Sequence, residues 1–336
     1  MKKSMLGVID ATMLPGEMGE LAIHRSPAAI PFAGRYRLID FVLSNMVNSG
    51  IQSVAIFPRS PYRSLMDHLG SGKDWDLNRK RDGLFFLPSP TKEGQFNRMS
   101  EHLDYFNRSD QKYVVVSNCT TVANMDFAPV LDRFIKQSCD ILEITHKGEP
   151  TYIYLLSLEL LLDLIEQRNE TGYESVQSVV EDASSSLTKC QYEFEGFLKR
   201  IKTVDDYYQT SMQLLEKEKW SELFNEFQPI YTKVKDEPPT NYLAGSHVTN
   251  AMIANGCVIS GEVNHSIVFR AVNIGKNSIV KNSIIMQKSK IGEDCTLEYV
   301  IIDKDVSVEN GAVLRGTPEQ PLVIKKGSVE SAVTSS

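Results

Sequence analysis

The chain has 336 residues, a formal net charge of -7 at pH 7 and a pI of about 5.5. This length exceeds that of most single hydrophobic cores, so we expect two domains. The acidic balance provides no general attraction for nucleic acid or anionic lipid, and the basic run at 78–83 (NRKRDG) is too short to reverse it. We expect neither a nucleic-acid partner nor a membrane partner.

The N-terminal residues and the cysteines favour a cytoplasmic protein. The apolar run after Lys3 stops at Asp10, well short of a signal-peptide core, and no later apolar run reaches membrane-spanning length. The five cysteines are scattered without a Cys-x-x-Cys pair, which indicates reduced thiols and argues against disulfides. The six histidines show no ligand spacing, so the sequence predicts no metal site.

The first half of the chain alternates strand and helix patterns. A strand is predicted over 4–10 (SMLGVID), a helix over 38–50 that closes at Gly50, and a strand over 51–57 (IQSVAIF). Further helices are expected after an N-cap at Asp126, over 157–167 (SLELLLDLIEQ), and after Thr203, where Thr-x-x-Asp reads as a capping pair. This order predicts a mainly parallel sheet flanked by helices.

The second half has a different period, with apolar residues six positions apart in turns of 17 residues. Four turns align: Ala251, Cys257 and Val263; Val268, Ile274 and Val280; Ile285, Ile291 and Leu297; Ile302, Val308 and Leu314. This pattern is typical of a parallel β-helix whose three sides each take about six residues per coil. Gly275, Gly292 and Gly311 would supply the unusual backbone angles of the corners. The alternative, a β-sandwich, predicts a period of two.

The change of period defines the predicted domains. We expect an α/β domain over 1–228, a linker over 229–246 and a β-helix domain over 247–336. The linker region contains the proline- and charge-rich stretch KVKDEPPTNY.

Several segments resemble bacterial glucose-1-phosphate adenylyltransferases. The segment that follows the family's nucleotide loop is similar to IPFAGRYRLIDFVLSNMVNSGI at 30–51. Further matches, in family order, are NMDFAPVLDRF (124–134), YIYLLSLELLLDLI (152–165), YYQTSMQLL (207–215), NGCVISGEV (255–263) and VIIDKDV (300–306). The resemblance implies a Rossmann-like nucleotidyltransferase domain with a mainly parallel sheet, followed by a left-handed parallel β-helix of hexapeptide repeats.

The same resemblance indicates that the family's phosphate-binding groups are missing. The family loop, Gly-Gly-x-Gly-(Thr/Ser)-Arg-Leu, cradles phosphates with backbone N–H groups and stabilises transferred charge with its arginine. Its paired glycines fall on Thr12 and Met13, its arginine falls on Glu17, and a later family lysine falls on Pro27. A carboxylate at position 17 would repel a triphosphate.

The groups for metal, adenine and sugar phosphate are missing as well. The two acidic metal positions of the family fall on Thr120 and Arg200, and neither side chain suits Mg2+. QFNRMSEHL at 95–103 occupies the place of the family's adenine stretch, and only THKGEPT (145–151) stands where the sugar-phosphate segment would be.

The chain therefore resembles the non-catalytic, regulatory paralogue of this enzyme. The resemblance implies a regulatory subunit in glycogen biosynthesis, assembled as a heterotetramer with a catalytic subunit. That partner would carry Mg2+, whereas this chain would bind no cofactor and have no activity alone. An active enzyme with an unorthodox site and a ligand-free assembly scaffold are the two alternatives.

Three arginines are candidates for binding an anionic metabolite effector. Arg25, Arg35 and Arg37 lie in the segment near which the family binds anions, and guanidinium groups suit phosphate. Surface or interface ion pairs are the competing explanation. Asp10, Glu17 and Glu20 read as solvated loop carboxylates rather than a metal cluster.

Overall fold

The structure is a computed structural model that describes residues 4–13, 15–79, 82–90 and 94–331, without the side chains of residues 15 and 17. The basic run at 78–83 thus lies partly outside the described residues. The chain forms two compact units, each built from separate parts of the sequence. Unit 1 contains Met1–Leu14, Ile39–Arg200 and Phe224–Tyr231, and unit 2 contains Pro15–Leu38, Ile201–Leu223 and Thr232–Ser336.

The strands are, in chain order, β1 (Met5–Ala11), β2 (Pro31–Phe32), β3 (Tyr36–Arg37), β4 (Ser53–Pro58), β5 (Gly83–Phe86), β6 (Tyr113–Asn118), β7 (Thr121–Ala123), β8 (Ile141–His146), β9 (Glu149–Ser157), β10 (Lys189–Glu193), β11 (Leu198–Arg200), β12 (Asn241–Tyr242), β13 (His247–Ile253), β14 (Val258–Ile259), β15 (Glu262–Val268), β16 (Asn273–Ile274), β17 (Ile279–Lys281), β18 (Ile284–Ile285), β19 (Lys290–Ile291), β20 (Thr296–Glu298), β21 (Val300–Ile302), β22 (Ser307–Val308), β23 (Val313–Arg315), β24 (Leu322–Ile324) and β25 (Val329–Glu330).

The α-helices are α1 (Leu38–Asn48), α2 (Arg63–Leu69), α3 (Gln95–Ser100), α4 (Leu103–Asn107), α5 (Ala128–Gln137), α6 (Leu158–Glu166), α7 (Arg168–Thr171), α8 (Val176–Glu181), α9 (Val204–Gln213) and α10 (Lys217–Leu223). Short 3-10 helices cover Pro15–Ala22, Pro27–Ala29 and Lys73–Trp75. Within the described ranges, no helix is long and apolar enough to cross a bilayer.

Unit 1 is built on a seven-stranded sheet in the order β10-β8-β9-β6-β1-β4-β5. Four of the six neighbouring pairs are parallel, and only the two pairs that include β9 are antiparallel. Strands β1, β4 and β6 are almost entirely buried, as expected for parallel strands covered on both faces. The predicted mainly parallel sheet is confirmed.

Helix ends follow the predicted signals with one small shift. Gly50, at φ 80°, lies just beyond the end of α1, and Thr203 and Asp206 form the predicted capping box of α9. The N-cap of α5 is Phe127 rather than Asp126, but the Asp126 carboxylate accepts a hydrogen bond from the Ala128 N–H at 2.8 Å.

A tight hairpin replaces the sugar-phosphate segment expected from the resemblance. Lys147 and Gly148 join β8 directly to β9 and both have positive φ, at 54° and 77°. Positive φ at both turn residues is the pattern of a type I′ hairpin. The chain therefore passes from β8 to β9 through a regular two-residue turn, with no longer segment between the two strands.

The expectation of reduced thiols is wrong for one pair of cysteines. Cys139 and Cys190 form a disulfide with their Cα atoms 6.0 Å apart. They are 51 residues apart in sequence, and the parallel pairing of β8 with β10 brings them together. Spacing along the chain could not show this, because the contact depends on sheet topology. The other three cysteines, Cys119, Cys257 and Cys295, are free and buried.

Unit 2 contains the predicted β-helix. Parallel register stacks Val268 on Ile285 and Ile285 on Ile302, and the other two predicted columns stack in the same way from Ile274 and Val263 onward. In the first coil the predicted register is wrong by two residues, because Val268 pairs with Ile253 and Ile274 pairs with Ile259 rather than with Ala251 and Cys257. All twelve predicted inward residues belong to its core, ten of them buried and Ala251 and Leu314 partly buried. The first strand, β12, pairs with β14 and begins inside the predicted linker.

The explanation offered for the corner glycines is correct only for Gly311. Gly275 and Gly292 have φ outside the left-handed region, and glycine is required there by close packing: a Cβ on Gly275 would lie 2.2 Å from the Gly292 carbonyl oxygen. The left-handed corner is formed by Asn277, Asp294 and Gly311, 17 residues apart, at φ 61°, 58° and 75°. Asparagine and aspartate tolerate this conformation better than other non-glycine residues.

This difference predicts opposite tolerances at two glycines of the same domain. Gly275→Ala should lower the free energy of unfolding by about 1–3 kcal/mol, because the new methyl group overlaps the neighbouring coil. Gly311→Asn should change it by no more than about 0.5 kcal/mol, since its side chain would meet open space at a corner that already accepts Asn277. Urea unfolding followed by circular dichroism measures both. Equal effects would contradict the packing explanation.

Candidate functional site

The end of β1 carries a side-chain turn where the family would have its phosphate loop. One oxygen of Asp10, Oδ1, accepts hydrogen bonds from the Thr12 backbone N–H (3.0 Å) and the Thr12 hydroxyl. The other, Oδ2, accepts bonds from Gln95 Nε2 (3.1 Å) and Arg98 Nη2 (3.3 Å). The Thr12 N–H is thus already bonded to a carboxylate of its own chain. A phosphate cradle of the family type is absent from the described residues here.

The two family metal positions are close together in unit 1. β7 and β11 pair antiparallel with Arg200 opposite Thr121, and Thr120 directly precedes β7. Thr120 is buried, and its backbone N–H donates to Asn118 Oδ1 at 3.0 Å. The Arg200 guanidinium lies 3.8 Å from the centroid of the Tyr152 ring, in a cation–π contact.

These two side chains do not fit a divalent cation. A hydroxyl has replaced one carboxylate, and a permanent positive charge has replaced the other. Across the part of the chain that the structure describes, no group of three or more His, Cys, Asp or Glu side chains could hold a metal ion.

The remaining degenerate positions lie in unit 2. Glu17 belongs to the 3-10 helix Pro15–Ala22, but its side chain lies outside the described residues. Pro27 is buried at the start of the 3-10 helix Pro27–Ala29, so the position of the family lysine is now part of the packing.

Arg25 forms a buried ion pair within unit 2. Its Nη2 atom lies 2.7 Å from Asp303 Oδ1 and 2.5 Å from Oδ2, and the two side chains are 3% and 1% exposed. Asp303 follows β21, and its Oδ1 also accepts the Lys304 backbone N–H at 2.7 Å. A pair this deeply buried holds two distant segments in register, because either charge alone would be very costly to bury.

A cluster of positive charges surrounds Lys304. Burial, and after it the charges of Arg37, Arg25 and Lys326, lower the pKa of its ammonium from 10.5 to about 7, while Asp303 opposes them. An ammonium group held near neutrality by burial and by neighbouring cations would gain a proton when an anion binds. Because its pKa is lower than in the unfolded chain, its contribution to stability rises with pH between about 7 and 10.5.

Arg35 lies at a second, smaller group of charges in unit 2. It is exposed, and its guanidinium carbon lies 5.5 Å from the centroid of the Tyr36 ring. Its charge, after burial and against the opposing effect of Glu237, helps lower the pKa of Arg270. The structure thus gives the three predicted arginines different surroundings: Arg25 pairs with Asp303, the charge of Arg37 acts on Lys304, and the charge of Arg35 acts on Arg270. Their predicted role in effector binding stays a prediction.

The chain has relatives that cover nearly all of its length. It is 53% identical to the glycogen biosynthesis protein GlgD of Bacillus subtilis (strain 168), with 99% of this chain and 98% of that protein covered. It is 55% identical to the GlgD of Geobacillus stearothermophilus, with both chains fully covered. The chain belongs to the GlgD family of glycogen biosynthesis proteins. At 27% identity it also resembles the glucose-1-phosphate adenylyltransferase of Bacillus cereus (strain Q1), over 91% of this chain and 94% of that enzyme.

Family matches to separate parts of the chain agree with the fold. Residues 18–152 match the nucleotidyl transferase family, and residues 239–320 match the GlmU-like C-terminal hexapeptide family. The predicted family resemblance and fold class are confirmed. The match to the GlgD of Geobacillus stearothermophilus spans 342 aligned positions at full coverage, so that relative has no long segment in addition to those of this chain.

Asp303 and Lys304 belong to the segment VIIDKDV, but the sequence does not mark either of them as a site residue. Their chemistry depends on Arg25, 278 residues earlier, so no local pattern marks it. An acidic residue next to a lysine at the end of the buried strand β21 was the only available signal.

Removal of one partner should show how much the buried ion pair contributes to the free energy of unfolding. Arg25→Ala should lower the free energy of unfolding by about 3–5 kcal/mol, because the Asp303 carboxylate would stay buried without its partner. Arg35→Ala, which removes an exposed arginine from the same segment, should change it by about 0.5 kcal/mol or less. Urea unfolding compares the two variants. The double variant Arg25→Met, Asp303→Leu should recover most of the loss, and equal losses in the two single variants would contradict this assignment.

Proposed function

We propose that this chain is a regulatory subunit that pairs with a catalytic glucose-1-phosphate adenylyltransferase in a heterotetramer. In this role it changes how the partner forms ADP-glucose from ATP and glucose 1-phosphate during glycogen biosynthesis. The main support is the pairing of β7 with β11, which sets Arg200 opposite Thr121, next to Thr120, and so brings a hydroxyl and a guanidinium to the place where the related enzymes are expected to hold metal. Family membership supports the pathway, and the resemblance supports the partner.

The absence of activity proposed for this chain would result from several missing groups at once. Positions 12, 13, 17, 27, 120 and 200 all lack the group that the family motif needs. Catalytic groups act as a unit, so restoring one of them recovers little of the rate. The catalytic partner would supply both Mg2+ and the phosphoryl-transfer site.

The cation cluster around Lys304 is the proposed effector site. Arg37 and Lys326 add positive charge beside a lysine that is close to neutrality, an arrangement that favours an anionic metabolite. Such an effector would regulate the partner only by binding two assembly states unequally, since equal affinity would shift no equilibrium.

One observation favours the scaffold alternative in part. Arg25, one of the three candidate arginines, is fully engaged with the Asp303 carboxylate inside unit 2. A ligand-free scaffold would use all of its cations in this way. The charges of Arg37 and Arg35 act on Lys304 and Arg270, and this grouping of cations favours the regulatory role.

Pyrophosphate release tests the proposed role directly. The assay contains ATP, glucose 1-phosphate and Mg2+, with this chain alone, with a catalytic partner alone, and with both. We expect no turnover by this chain, nor by its Glu17→Arg variant, and a changed rate or effector response in the mixture. EDTA-sensitive turnover by this chain alone would instead show an active enzyme. An unchanged response in a mixture that co-purifies as one assembly would show a scaffold.

The pH dependence of anion binding tests the effector site. Sulfate keeps its charge between pH 6 and 8.5, so a change in its binding reports the protein. Lys304 is mostly protonated below about pH 7 and neutral above it, so sulfate should raise the melting temperature more at pH 6 than at pH 8.5. Lys304→Met should remove this difference, and Lys276→Met, at an exposed lysine of the same β-helix, should retain it. A pH-independent sulfate effect in the wild-type protein would contradict the assignment.

A further inference from the structure

A cleft of about 940 Å³ opens in unit 1 at the carboxyl ends of three neighbouring strands. Thr12 follows β1, Pro58 ends β4, and Pro88 comes shortly after β5, and all three line the cleft. Open α/β sheets bind their ligands at this edge. A cavity of this volume is large enough for a small metabolite.

The lining of the cleft is strongly biased towards positive charge. Eleven described residues line it, and they include Arg59, Arg63 and Arg98 but no carboxylate. Hydroxyl groups of Thr12, Ser60, Tyr62 and Ser89 and the rings of four prolines complete the lining. Arginine presents several N–H donors in a planar fork that matches phosphate oxygens, so three arginines around one cavity suit an anion with more than one phosphate.

The three arginines differ in how they are held. Arg98 is 11% exposed, and its Nη2 atom lies 3.3 Å from Asp10 Oδ2, which keeps its guanidinium at the cleft wall. Arg63 is 94% exposed, and Asp67 is 4.0 Å away across one helical turn. An exposed pair at that distance is weak and readily replaced by a ligand. Arg59, four residues before Arg63, is half-buried.

The walls of the cleft are conformationally restricted. Pro58 and Pro61 bracket Arg59 in the loop after β4, and Pro88 and Pro90 stand in the loop after β5. Proline fixes φ, so these loops lose little conformational freedom when a ligand binds. Preorganised groups of this kind favour affinity.

We propose that this cleft binds a small molecule that carries a diphosphate or two phosphate groups, through Arg59, Arg63 and Arg98. The recognition differs from that of a glycine-rich phosphate loop, because the Thr12 N–H is bonded to Asp10 and side-chain guanidinium groups provide the donors. The site lies in unit 1 and is separate from the cation cluster around Lys304 in unit 2. Binding here is independent of the proposed regulatory function and can be measured on this chain alone.

Titration calorimetry of the full chain with inorganic pyrophosphate tests the site, at constant ionic strength and without divalent metal. The double variant Arg59→Gln, Arg63→Gln should weaken pyrophosphate binding about tenfold or more, because it removes two charged donors. Neither residue is deeply buried, so we expect the variant to keep the wild-type melting temperature.

Two control variants make the result specific. Arg108→Gln removes an 83% exposed arginine that pairs with Asp104 across one helical turn at 3.6 Å, as Arg63 does with Asp67, but lies outside the cleft. It should bind pyrophosphate like the wild type, and so should Lys276→Met, at an exposed lysine of unit 2. The proposal is overturned by absence of pyrophosphate binding to the wild type, by undiminished binding to the double variant, or by an equal loss of binding in either control variant.

Discussion

The buried ion pair between Arg25 and Asp303 is the interaction on which the organisation of unit 2 depends. It joins an N-terminal segment to the end of the β-helix strand β21, and both side chains are almost completely buried. Tyr207 reinforces the same segment, because its buried hydroxyl donates to the Pro31 carbonyl at 2.8 Å. A buried arginine is tolerated only beside its carboxylate, so the pair specifies one register for segments far apart in sequence.

This use of Arg25 explains how a family frame can persist without family chemistry. The segment 15–38 carries the positions of the family's arginine and lysine, yet in this chain it is packed into unit 2 through Arg25 and Pro27. Arg25 and Pro27 are buried there and stabilise the unit. The cations that remain, Arg37 with Lys304, are grouped where binding an anion would relieve their mutual repulsion.

In unit 1, too, the fold is that of the family, while the side chains at the expected binding positions differ from those of the family motifs. Its sheet retains the strand ends at which a nucleotidyl transferase domain would bind substrates, but Arg200 with Thr120 and a closed β8–β9 hairpin occupy the expected metal and sugar-phosphate positions. The arginine-lined cleft at the same edge indicates that this surface still provides a ligand-sized cavity. Positive charge has replaced the acidic groups that a metal would need.

The sequence by itself determined what depends on periodic burial: the alternating strands and helices of the first half and the 17-residue coils of the second, whose predicted inward residues form the core of the β-helix. The prediction of a degenerate site also came from the sequence, since the residues at the motif positions can be read without coordinates. Only the tertiary structure decided the contacts between residues far apart in the chain: Arg25 with Asp303, Thr121 opposite Arg200, and Cys139 with Cys190. It also assigned Gly275 to close packing between coils and placed Lys304 among cations. Each of these features depends on distances and burial that arise only when segments far apart in the chain come into contact. Local sequence patterns therefore cannot predict them.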